Sequence, residues 1–72
     1  MTQEEIIETM AVFLIVDRGL VTVAQLKKYL EVSRRQLQAV GAGNMPQKKL
    51  RRMRAVERAL KEIEFEQAKY RN

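Results

Sequence analysis

Apolar residues recur along this chain at helical spacing, in four runs separated by polar or glycine-bearing joints. In the first run Ile6, Ile7, Met10, Phe13 and Leu14 follow the three-to-four spacing of one helix face. Thr2 stands three residues before Glu5, the arrangement of a capping box, so a helix is predicted over about residues 3–17. Its stop is Gly19, preceded by Arg18, a cation that suits the negative end of the helix dipole. "VFLIV" has the β-branched composition of a strand, but the capping box and "EEIIETM" upstream favour helix.

Thr22 and Gln25 repeat the capping-box pattern and open a second helix at Val23, with Val23, Leu26 and Leu30 inside and Lys27 and Lys28 outside. Ser33 reads as a further N-cap with Gln36 at the third helical position, so Leu37 and Val40 become the stripe of a third helix over about 34–40. "GAGNMP" (41–46) is a loop, and Pro46 suits the start of the next helix. From Gln47 to about Tyr70 the chain is almost entirely strong helix former. Leu50, Met53, Val56 or Glu57, Leu60 and Ile63 come close to one stripe there, with Glu57–Lys61 and Arg58–Glu62 as four-apart ion pairs. The expected fold is all-α: a tri-helical core over 1–46, and a long basic C-terminal helix or partly flexible arm over 47–72.

A chain of 72 residues makes one domain at most and buries only about 60% of the surface its unfolded form exposes. It has no His and no Cys, so the commonest catalytic and metal-binding groups are missing; neither enzymatic activity nor a cofactor or metal is expected. No disulfide can staple the fold, which fits a cytoplasmic protein of a bacterium or a phage-infected cell. "MAVFLIV" is far shorter than the ~20 apolar residues of a membrane span, and "MTQEEIIE" is acidic where a signal peptide is basic, so no membrane association is expected. The net charge of +5 is unevenly spread. Residues 1–17 carry four acids and no base, 18–56 carry ten bases against Glu31 alone, and 57–72 carry four of each. A basic centre of this kind is the footprint of a phosphate-backbone binder or of a protein that docks on an acidic surface.

The pair of short helices joined at "LEVS" resembles the helix-turn-helix family of small bacterial and phage transcription regulators over about twenty residues, Val23–Val40. Leu26, Leu30, Val32, Leu37 and Val40 fall at the apolar positions that lock the family's two helices, and "VSRRQLQ" resembles the start of a recognition helix. Lys27 stands where the family usually has a small residue and Glu31 where it usually has glycine in the turn. The resemblance implies a transcription regulator whose second helix enters the major groove of double-stranded DNA. Ser33, Arg34, Arg35 and Gln38 would then face base edges, since Arg forks match guanine and Gln matches adenine. Thr22, Gln25, Lys27 and Lys28 would contact phosphates, and Lys48, Lys49, Arg51, Arg52 and Arg54 would add salt-sensitive contacts, there or on an acidic partner.

A second class of function competes with this one. Small phage factors of similar fold bind host RNA polymerase and modulate transcription by protein–protein contact, and the acidic first helix and uneven charge fit that use. A homodimer through Leu50, Leu60, Ile63 and Phe65 is a further expectation. Met10, Met45 and Met53 read as core gap-fillers, and Phe13, Tyr29 and Phe65 as core or interface aromatics too scattered to stack nucleobases.

Overall fold

Gly19 ends the first helix as its sequence position demands. At φ 71° it lets its own N–H donate to the Val16 carbonyl (3.0 Å) while Leu20 N–H donates to Ile15 (2.9 Å), the paired bonds of a Schellman stop. The computed structural model describes residues 2–69. In chain order it contains α1 (Gln3–Asp17), α2 (Val23–Val40), a 3-10 turn (Ala42–Asn44) and α3 (Gln47–Lys69). Every element among the described residues is helical. The expected end of the last helix at Tyr70 lies outside them.

Two of the expected caps form differently. Thr22 and Gln25 make the full capping box: Thr22 N–H donates to Gln25 Oε1 at 2.9 Å and Gln25 N–H to Thr22 Oγ1 at 3.1 Å. Thr2 makes only half of one, accepting from Glu5 N–H, because the Glu5 carboxylate turns to Arg58 on α3 instead.

The structure corrects the expected corner at residues 31–33. Residues 23–40 form one unbroken helix of 18 residues, so the separate helix over 34–40 and the helix-turn-helix bend do not exist. The physical reason lies in the stripe. Leu26, Leu30, Ser33 and Leu37 follow a continuous four-three-four spacing, and Ser33 occupies the core position between two leucines, only 2% exposed. A polar residue at a seam position imitates an N-cap when read from sequence. Neither glycine nor proline interrupts the run, and Glu31 pairs with Arg35 one turn on, bracing the place where the bend was expected. Val32 and Val40, assigned to the interhelix lock, face solvent instead.

Ser33→Ala separates the two geometries experimentally. Removing an N-cap serine costs about 1 kcal/mol, whereas a mid-helix serine replaced by the best helix former leaves stability equal or raised by up to about 0.5 kcal/mol. We expect the second result in urea denaturation.

α3 is the element on which both other helices rest. It supplies Met53, Ala55, Val56, Ala59 and Leu60 to a core completed by Val12 of α1, Leu26 and Leu30 of α2 and Met45 of the loop. Residues 1–46 and 47–69 therefore share one core, and the helix expected as a charged arm is its centre. Ala55 and Ala59 lie one turn apart with almost no exposed surface, and small side chains there allow two helices to approach one α3 backbone. Tyr29, Phe13 and Leu37 pack around this core. Met10 and Phe65, in contrast, are largely exposed.

Candidate functional site

The residues expected to read DNA bases are not presented together. Ser33 is buried in the α2 stripe. Arg34 reaches across to α3, where its Nη2 lies 3.1 Å from Glu57 Oε2. Arg35 turns along its own helix to Glu31 at 2.5 Å. Gln38 is exposed on the last turns of α2.

The expected phosphate contacts divide in the same way. Thr22 and Gln25 spend their side chains on the capping box. Lys27 pairs with Glu64 at 3.1 Å, and Arg51 with Glu4 at 2.8 Å and more loosely with Glu8. Lys49 Nζ donates to Gln36 Oε1, a neutral acceptor. Lys28, Lys48, Lys49, Arg52 and Arg54 pair with no carboxylate among the described residues. Four of the ten bases of the basic centre, Lys27, Arg34, Arg35 and Arg51, are thus paired with acids from α1, α2 and α3. Exposed pairs of this kind contribute only a few tenths of a kcal/mol each, yet they decide which charges remain available.

Glu57 reports the Arg34 contact. The Arg34 hydrogen bond holds its carboxyl below the ordinary 4.5, outweighing the upward push of partial burial, with Lys61 adding to the depression. A depressed carboxyl contributes stability that is present above its unfolded value and lost as pH falls through the folded one. Arg34→Ala is expected to return the Glu57 titration toward 4.5 and to make acid unfolding below that pH shallower. Carboxyl carbon NMR shifts followed against pH check this; an unmoved Glu57 would place Arg34 elsewhere.

What α1 and α2 leave open over α3 is a groove. α1 and α2 both lean on α3 and leave between them a cleft of about 550 Å³. Ala11, Val12 and Ile15 form one wall, Leu26 and Tyr29 the other, and Ala55 and Val56 the floor. Its polar members are Glu8, Gln25 and Arg52. A shallower recess of about 350 Å³ shares Gln25 and Tyr29 with it and continues along α2 past Lys28 and Lys49. One concave strip therefore runs from apolar walls to a rim of cations without acidic partners among the described residues. Glu8 Oε2 is buried and accepts no hydrogen bond, a local cost that the fold carries beside the cleft.

A second unexpected surface lies on α1. Ile6, Ile7, Met10 and Leu14 are 44–65% exposed on the side away from α3. The expected dimer surface is reassigned in turn: Leu60 is buried in the core and Leu50 and Ile63 are half-buried, leaving only Phe65 of that set exposed. The signal for both surfaces was present in "MAVFLIV", which is apolar all round and so demands more cover than one neighbouring helix provides.

No protein-family model, curated protein or solved structure matches this chain. The helix-turn-helix resemblance receives no support from these comparisons. Among the described residues no helix is long and apolar enough to cross a membrane, and no three acidic, His or Cys side chains gather as a metal site.

Proposed function

We propose that the protein is a small non-enzymatic binding module that modulates its target by protein–protein contact, taking an amphipathic helical segment of the partner into the groove between α1 and α2. The observation that carries this reading is the groove itself, with apolar walls from two helices and a rim of Arg52, Lys28 and Lys49. Such a cleft matches a helix with one apolar stripe and an acidic flank. RNA polymerase, the partner raised by the sequence, is the first to test.

A second reading is retained because of one observation. Lys28, Lys48, Lys49, Arg52 and Arg54 have no described carboxylate partner, and cations of this kind bind duplex DNA through its phosphates without a helix-turn-helix. Binding of that kind is insensitive to sequence and falls steeply with salt.

The two are separated by titrating labelled protein with purified bacterial RNA polymerase and with duplex DNA, each at low and high salt. Groove docking is expected to survive high salt, and Ile15→Arg, which fills the α1 wall, is expected to weaken polymerase binding at least tenfold. Circular dichroism checks that the variant folds, and Arg52→Glu on the exposed rim serves as a second variant. Equal binding by parent and both variants overturns the groove as the contact surface. Binding of DNA alone, lost at high salt, transfers the function to the second reading.

A further inference from the structure

We infer that α1 is the seam of a homodimer, in which two copies of this chain pair their α1 helices antiparallel through the apolar face that α3 leaves uncovered. α1 is apolar on two sides. One side, with Val12 and Thr9, is buried against α3, and the opposite side presents Ile6, Ile7, Met10 and Leu14 to solvent. Gln3, Ile7, Met10, Leu14 and Asp17 follow the four-three-four-three spacing of a coiled-coil seam, with polar residues only at its two ends. A face of this pattern on an exposed helix marks an association site.

The flanking residues choose the occupant and its direction. Glu4 and Arg18 lie two heptads apart on the same edge of the seam, about 21 Å from one another along the helix. Glu4 already lies 2.8 Å from Arg51 of its own chain but keeps 68% of its side chain exposed, so an antiparallel second copy can bring its Arg18 to Glu4 and its Glu4 to Arg18, two opposite-charge pairs from one sequence, as the two-fold symmetry of an isologous interface requires. A parallel copy would instead set the Glu4–Arg18 edge against the apolar Ile6–Phe13 edge of its partner, with no opposite charge to meet either residue. Ala11, midway along this edge, is small enough to let the two helices close. On the other edge antiparallel pairing carries Ile6 toward Leu20 of the second copy, and Leu20, 69% exposed past the helix end, gains apolar cover. A membrane surface is a poorer occupant, because α1 carries Glu4, Glu5, Glu8 and Asp17 and no base.

A seam of 15 residues is about 22 Å long and buries less than the ~1,200 Å² of a tight specific interface, so the dimer is expected in the micromolar range. Sedimentation equilibrium of the full chain from about 1 µM to about 1 mM brackets that range. The mass should rise from 8.4 kDa toward twice that value. Met10→Glu, which sets two carboxylates together at the centre, should hold the chain monomeric with its helical circular dichroism unchanged. Arg18→Glu, which sets its carboxylate against Glu4 of the second copy, should weaken the dimer at least threefold, and Glu4→Gln in the same chain should recover part of that loss. A mass fixed at 8.4 kDa throughout, or a dimer indifferent to Met10→Glu, overturns the inference. Pairing indifferent to Arg18→Glu overturns the antiparallel arrangement.

Discussion

Proline at Val32 should unfold the protein. Val32 is 43% exposed, so its side chain contributes little, and the effect falls almost wholly on the α2 backbone. In the interior of an 18-residue helix a proline removes the hydrogen bond to the carbonyl four residues earlier, at Lys28, and drives its ring against that carbonyl. The loss is about 3 kcal/mol or more. Small domains hold only about 0.05–0.15 kcal/mol per residue, so this removes much of the total for 72 residues. Val32→Ala, which keeps the backbone bond and is a better helix former, should change stability by less than about 1 kcal/mol. The same proline in a turn at 31–33 would be tolerated. A thermal midpoint for Val32→Pro within a few degrees of the parent would therefore restore the bend and the DNA-reading geometry that the continuous helix removes.

The second large effect is expected at Ala59. Its exposure is 0%, on the α3 face between the two helices that pack there. Ala59→Glu adds both volume and a charge that finds no cation in the core, and an uncompensated buried charge costs about 3–5 kcal/mol. The variant should lose cooperative unfolding and much of its helical circular dichroism at neutral pH. Ala59→Leu, which adds volume alone, should lose about 1–3 kcal/mol, and glutamate at exposed Ala39 should have little effect. A folded Ala59→Glu protein of parental stability would show that α1 and α2 do not close over this position.

The helical content was legible in the sequence because local signals were strong and agreed with one another. The caps at Thr2 and Thr22, the stop at Gly19 and the "GAGNMP" loop each stand where a helix begins or ends in the structure. Ser33 failed for an instructive reason: a hydroxyl that can cap a helix can also fill a narrow seam position, and spacing alone does not separate the two. The departure at Glu31 was the better guide, since a turn there would have wanted glycine. The candidate site was less legible than the fold. Which of the bases keep free charge depends on partners far away in sequence, such as Arg58 with Glu5 and Lys27 with Glu64. The groove between α1 and α2 likewise exists only once both helices lie on α3.

That dependence on α3 also sets the order in which the protein can form. α1 finds its main support, and Glu5 its guanidinium partner, 53 residues further along the chain. During synthesis α1 leaves the ribosome with its oily flanks uncovered and cannot settle until α3 has followed it. Folding of α1 therefore waits on α3, and the nascent chain is at its most vulnerable to proteases and to self-adhesion in that interval.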